Sequence, residues 1–281
     1  MRRRETENPS SVLRFDGEYG MNARSAPFAG VFGAFLALCC TPRTTKGPEL
    51  MSPLALVQLS VPGYVDAVVS LPRGATTPRP LVVAAHGAGD RAEYHCELWH
   101  RIVGDRAFVL CPQGRRTNES VPHADAGYYY PDHFALDEEV KAAIAALEAR
   151  YRAHLDSEQA VYTGFSQGAI HGAHVIVLNP EVFPRAVLVE GGNGFFNEWS
   201  VPAARKYRAG GGRRILFACG SPACVRTAER CASYLKKAGV EARVVHAEGA
   251  GHSYGPAMEA ELRASFEWLV ADDPRFRAET R

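Results

Sequence analysis

The sequence predicts an α/β fold, a mostly parallel eight-stranded sheet with helices on both faces and no large lid. Three observations carry this expectation. Apolar strand-like runs alternate with helix-like stretches along most of the chain. A Gly-x-Ser-x-Gly pentapeptide stands between one such strand and the next helix, and a histidine sits on a glycine-rich loop between the last strand and the last helix. Strands are expected near Leu54–Leu59 and Tyr64–Ser70, joined by Val61-Pro62-Gly63 as an antiparallel hairpin. They continue near Leu81–Ala85, Ala107–Leu110, Ala160–Gly164, Ala186–Val189, Arg214–Ala218 and Ala242–Ala247. Helices are expected near Glu93–Val103, Leu136–Tyr151, Ser166–Leu178, Ala223–Ala238 and Ala257–Val270. In the second of these, Val140, Ile144, Leu147 and Tyr151 recur at helical spacing. Strand alternating with helix calls for a parallel sheet covered on both sides.

The pentapeptide is Gly164-Phe165-Ser166-Gln167-Gly168. A sharp strand-to-helix turn needs small neighbours around the serine, and it lifts the hydroxyl out of the sheet toward the positive end of the helix. The motif alone recurs by chance, so its surroundings decide. Downstream, Gly249-Ala250-Gly251-His252-Ser253-Tyr254-Gly255 can swing His252 over Ser166 to take its proton as general base. The chain has ten histidines. Most are expected on the surface or in packing, although His171 and His174 follow the pentapeptide closely enough to flank a site. Upstream, Leu81-Val82-Val83-Ala84-Ala85 runs into His86-Gly87-Ala88-Gly89-Asp90, a buried strand breaking into a loop with exposed amides. The backbone N–H groups of Ala88 and Gln167 are the candidate oxyanion hole, each such donor contributing about 3 kcal/mol to a transition state. A plain glycine turn is the bland account of the same loop.

These motifs resemble those of the α/β-hydrolases, in particular the phospholipase/carboxylesterase branch. They are also similar to those of the polyhydroxybutyrate-depolymerase and feruloyl-esterase-like enzymes. The resemblance spans roughly Leu54 to Val270, with specific matches confined to the two motifs and the His252 loop. It implies an α/β-hydrolase fold and a lidless serine esterase acting on a small-molecule ester without metal or cofactor. Ser166 would be the nucleophile and His252 the base. One point departs from the pattern. Such enzymes carry an aspartate in a turn after the seventh strand, where this chain reads Cys219-Gly220-Ser221-Pro222-Ala223-Cys224, with Ala223 in the aspartate's place. The alternative acid is Glu190, which ends the apolar strand Ala186–Val189 and is followed by Gly191-Gly192, with Glu198 second. A solvent-reaching or arginine-paired carboxylate is the competing account of Glu190, and a serine–histidine dyad would be slower.

Seven cysteines are present. Cys219 can close its turn onto Cys224, and Cys96 can reach Cys111, whereas Cys224 and Cys231 stand too far apart along a helix to bridge. Reduced, buried thiols are the alternative. Residues 1–50 read as a leader and linker before a hydrolase domain over 51–281. The apolar run Phe28–Leu38 has the length of a signal-peptide core and ends at Cys39-Cys40, candidate lipidation sites for membrane anchoring from a start at Met21. Export is the expectation, with a cytoplasmic enzyme the alternative. The net charge of +1 and the lack of a basic stripe argue against nucleic-acid binding. Tyr128, Tyr129 and Tyr130, on a long connection after the fourth strand, are candidates for an aromatic substrate wall, or else pack the loop itself. A serine ester hydrolase leads. A prolyl-oligopeptidase-type peptidase and a non-catalytic binding protein on the same scaffold are the other readings.

Overall fold

The computed structural model describes residues 49–51, 56–194 and 196–277. The leader, with Cys39 and Cys40, lies outside the described residues. Among those described, no helix is long and apolar enough to cross a membrane.

Eight strands form one sheet: β1 (Leu56–Leu59), β2 (Ala67–Ser70), β3 (Arg79–Ala85), β4 (Phe108–Cys111), β7 (Leu155–Phe165), β8 (Arg185–Val189), β9 (Arg214–Cys219) and β10 (Glu241–His246). Their order is β1-β2-β4-β3-β7-β8-β9-β10. β1 and β2 form the expected antiparallel hairpin, and β2 also meets β4 antiparallel; every other pairing is parallel. A separate two-stranded ribbon, β5 (Arg115–Arg116) with β6 (Tyr128–Tyr129), lies in the long connection after β4.

The helices are α1 (Ala92–Val103), α2 (His133–Tyr151), α3 (Gln167–Leu178), α4 (Val201–Ala209), α5 (Pro222–Lys237) and α6 (Pro256–Val270). Side chains alternate across the strands and so serve two separate cores. Leu81, Val83 and Ala85 of β3 face the layer built from α2, α3, α4 and α5, while Val82 and Ala84 face α1 and α6. Full burial of large side chains such as Trp99, Phe217 and Phe266 contributes about 1.5–3 kcal/mol apiece.

Several elements differ from the sequence expectation: β2 starts at Ala67 and not Tyr64, and the β5–β6 ribbon was not expected. β7 starts five residues earlier than expected because polar Asp156–Gln159 still follow the sheet, pairing Asp156 with Pro80. Gln159 takes φ 53°, where the register shifts, and Arg275 fastens the irregularity by bonding Asp156 Oδ1 and Gln159 O. α2 begins at His133 because the Asp132 side chain accepts from Ala135 N and caps it. α4 was not expected at all: it buries only Ala204 and Tyr207, which leaves little hydrophobic periodicity to read.

Candidate active site

The register of the parallel strands brings the key residues to one sheet edge. Phe165 pairs with Val189 and Val189 with Ala218, so Ser166 and Glu190 each stand one residue past adjacent strands. The ladder continues beyond the strand ends. Ser166 N donates to Val189 O at 2.9 Å, Glu190 N to Ala218 O at 3.0 Å, and Ala247 N to Cys219 O at 2.8 Å. This is the carboxyl edge of the sheet, where open α/β folds place their sites.

Ser166 adopts φ 49°, ψ −114°, a conformation that costs about 1–3 kcal/mol for a residue with a side chain. Its carbonyl accepts from Ala169 N and Ile170 N, so the first turn of α3 holds it there. The flanking glycines are required by space. A Cβ at Gly164 would stand 2.5 Å from Gly168 O, and one at Gly168 would stand 2.6 Å from His86 O.

His252 reaches back from the β10–α6 loop. Its Nε2 lies 2.9 Å from Ser166 Oγ, and its Nδ1 lies 3.1 Å from Glu190 Oε2. The other oxygen of Glu190, Oε1, accepts from Gly220 N, in the turn that Ala223 follows. The Glu190 side chain is 6% exposed against 57% for His252, so the carboxylate is anchored inside while the imidazole faces solvent. Gly220 also packs its backbone against Gly251, where a Cβ would strike Gly251 N and O. One tight turn therefore orders both the acid and the histidine loop. Glu198 is engaged elsewhere: it is buried, accepts from Phe196 N at 2.9 Å, and burial raises its carboxyl above the ordinary range.

The His86–Asp90 loop runs directly over the serine. A Cβ at Gly87 would lie 3.0 Å from Phe165 Cδ1 and 3.3 Å from Ser166 Cβ. The Ala88 and Gln167 amides donate to no protein acceptor among the described residues, as a pair of oxyanion donors requires. His86 lies buried beneath the loop. Burial holds its pKa down at about 4 despite the carbonyls of Gly87 and Gln113, 2.7 and 2.8 Å from its ring nitrogens.

The structure corrects the expectation for the tyrosines. Tyr128 and Tyr130 are fully buried, Tyr129 is half-buried in the ribbon, and none of the three borders the cavities beside Ser166 and His252. Tyr130 is instead a brace that sequence reasoning missed. Its N–H donates to Gln167 Oε1 at 2.8 Å, and its hydroxyl donates to Pro112 O at 2.9 Å while accepting from His86 N at 3.3 Å. It thus ties together the two segments that carry the Ala88 and Gln167 amides. The only sequence hint was glutamine between the serine and the second glycine.

Two cavities flank the imidazole. One, about 520 Å³, is lined by Ser166, Ile170, Phe196 and Arg226 together with Glu190 and His252. The other, about 440 Å³, is lined by Asp90, Tyr94, His95, Phe165 and Tyr254 with His252. Both have the size of small-molecule sites. In the second, Asp90 Oδ2 lies 2.8 Å from His95 Nε2. Burial alone would raise the Asp90 carboxyl, but the hydrogen bond and charge of His95, with the Arg91 amide, hold it below its ordinary value. His95, expected to be bland, is therefore a buried neighbour of the site. His171 and His174 border neither cavity, and burial lowers the pKa of each; His174 packs its ring against His133 at 4.8 Å.

Both expected disulfides are formed, Cys96–Cys111 and Cys219–Cys224. Cys231 is a buried free thiol, pushed up to about 11 by burial and the nearby Glu198. Glu190, Cys219 and Cys224 are the one grouping of potential metal ligands among the described residues. The two sulfurs are joined to each other, so neither offers the thiolate that a metal takes.

No protein-family model and no curated protein matches the sequence. Solved structures do match in shape. A ferulic acid esterase is similar with a TM-score of 0.59 at 11% identity, over 77% of this chain and 96% of that one. An S-formylglutathione hydrolase from Agrobacterium tumefaciens gives 0.53 at 14% identity, over 77% and 94%. A dienelactone-hydrolase-like promiscuous phosphotriesterase from metagenomic libraries gives 0.59 at 14% identity, over 77% and 97%. The chain has the α/β-hydrolase fold.

Proposed function

We propose that this protein is a serine hydrolase of carboxylic esters. In this reading Ser166 Oγ attacks the ester carbonyl while His252 Nε2 takes its proton. Glu190 holds Nδ1 protonated and balances the imidazolium that forms. The Ala88 and Gln167 amides receive the oxyanion. His252 then returns the proton to the departing alkoxide, giving the alcohol and an acyl group on Ser166. Water, deprotonated by the same imidazole, releases the acid and restores the serine.

One observation carries the reading: a hydroxyl, an imidazole and a buried carboxylate from three separate segments meet in series at 2.9 and 3.1 Å. The similar solved structures, one named a ferulic acid esterase and one an S-formylglutathione hydrolase, support a hydrolase. The two disulfides support an oxidising compartment, and hence export of the protein. A fluorophosphonate probe tests the chemistry. The expected result is a covalent adduct on Ser166, abolished by His252→Ala, with hydrolysis of p-nitrophenyl acetate and none of aminoacyl amides. An unlabelled Ser166 in folded protein would leave a binding protein on a hydrolase scaffold, and amide cleavage without ester cleavage would point to a peptidase.

A further inference from the structure

The cavity that Ser166 itself lines contains an ionic group that the ester chemistry does not use. Of the charged residues there, Glu190 and His252 engage each other. Arg226 remains. It stands on the first turns of α5, exposed, and its guanidinium makes no ion pair or hydrogen bond with a described residue. Nine other arginines (91, 101, 106, 116, 185, 213, 214, 263 and 275) each pair with a carboxylate. An unpaired arginine is ordinary on an open surface. Beside a nucleophile, at the rim of a cavity of about 520 Å³, it faces whatever is attached to the serine.

The rest of the wall agrees with that reading. Ala223 and Cys224, the opening residues of α5, also line the cavity, so the positive end of that helix is turned toward it. Ile170 and Phe196 supply apolar surface, and Thr227, whose hydroxyl donates to Ala223 O and Cys224 O, completes the wall. Only the cavity on this side of the imidazole touches Ser166, and the acyl group is the part of an ester that becomes bonded to the serine. The alcohol leaves over His252, which must protonate it.

Resting on the esterase reading above, the geometry points to Arg226 as a specificity residue for esters whose acyl portion ends in a carboxylate, the half-esters of short dicarboxylic acids. The apolar wall takes the methylene chain and the guanidinium takes the far carboxylate, a planar anion that its fork matches.

The test compares kcat/KM for monomethyl glutarate and methyl pentanoate, followed by methanol release. The wild-type protein should prefer the half-ester by about five- to tenfold at low ionic strength, since the pair is partly exposed, with the preference shrinking as salt is added. Arg226→Gln should bring the ratio to near one, and Arg226→Lys should restore part of it. No preference in the wild type, or an equal loss on both esters in Arg226→Gln, overturns the assignment. Binding of glutarate to the folded Ser166→Ala protein is the second measurement. Binding that is lost on adding Arg226→Gln upholds the anion site even if neither ester is hydrolysed, in which case the esterase reading alone has failed. No glutarate binding in Ser166→Ala overturns the site.

Discussion

Replacing Glu190 with glutamine tests the acid at its unusual place in the fold. The side chain keeps its size but offers one acceptor oxygen where the carboxylate offers two. Both are in use, Oε1 by Gly220 N and Oε2 by His252 Nδ1. If the amide oxygen stays with Gly220, its NH2 faces Nδ1 and forces the ring proton onto Nε2. The imidazole then presents N–H to Ser166 and has no lone pair to accept the hydroxyl proton. Loss of the correct tautomer in a serine–histidine–carboxylate site lowers kcat by about 10⁴, or roughly 5 kcal/mol. If the amide flips instead, Gly220 N–H is left facing a donor in a site that is only 6% exposed at the side chain, which costs about 1–3 kcal/mol of stability. Either orientation is damaging, and the first damages only catalysis. The assay is fluorophosphonate labelling rate together with ester turnover, with circular dichroism to establish the fold. A folded Glu190→Gln protein that retains both kcat within tenfold of wild type and the wild-type unfolding free energy, measured by denaturant, would refute the role given to this carboxylate.

Three further outcomes follow from the same geometry. Gly87→Ala should slow labelling of Ser166 by about 10²-fold without unfolding the protein, because its Cβ would press on Phe165 Cδ1 and Ser166 Cβ at 3.0 and 3.3 Å; an unaffected rate would show that the loop yields. Cys219→Ser with Cys224→Ser should lower unfolding free energy by about 2 kcal/mol and slow labelling on the order of tenfold, since the turn presents Gly220 N–H to Glu190; denaturant unfolding and probe kinetics measure both, and an unchanged labelling rate would separate the bridge from the acid. His86, held at about 4 in the folded protein against 6.5 ordinarily, is protonated first in the unfolded chain, so stability should fall as pH drops from about 6.5 to about 4, by roughly 3 kcal/mol; an NMR titration placing the His86 midpoint above 6 would contradict this.

How much of this was legible in the sequence depended on whether the cause was local. Ser166 and His252 as candidates, and the alternation of strands with helices, could be read because glycine spacing, apolar runs and chain order are local signals. Glu190 was legible as a carboxylate ending a buried strand next to two glycines and as a candidate acid for His252, but solvent or an arginine stayed open as its partner, since only the register of β7, β8 and β9 decides which side chains meet. Both disulfides were readable from reach along short segments. The tyrosines misled because three aromatic residues in a loop near the site say nothing about direction. Two of them point inward, and Tyr130 acts through a backbone N–H and a hydroxyl. His95 and Arg226 were invisible for the same reason: α1 and α5 bring them to the site from positions where the sequence shows only an ordinary amphipathic helix.

On the proposed reading the acid stands at the end of β8 and not in the turn after β9, which bears on the cavity as well as on the histidine. Ala223, at the place where the resembling enzymes carry an aspartate, lines the cavity beside Ser166, three residues ahead of Arg226 on α5. Residues three apart on a helix are neighbours on its surface, so an aspartate at 223 would be a ready ion-pair partner for that guanidinium. With the acid at Glu190, the carboxylate is buried under the imidazole and held by Gly220; on α5, Glu229 also stands three residues from Arg226 but makes no ion pair with it, so the cation beside the cavity is left unpaired. Introducing Ala223→Asp should therefore reduce any preference for a carboxylate-bearing acyl group while leaving Glu190 bound to His252. A preference that survives Ala223→Asp in full would mean that the Arg226 guanidinium is too far from residue 223 for the two to compete.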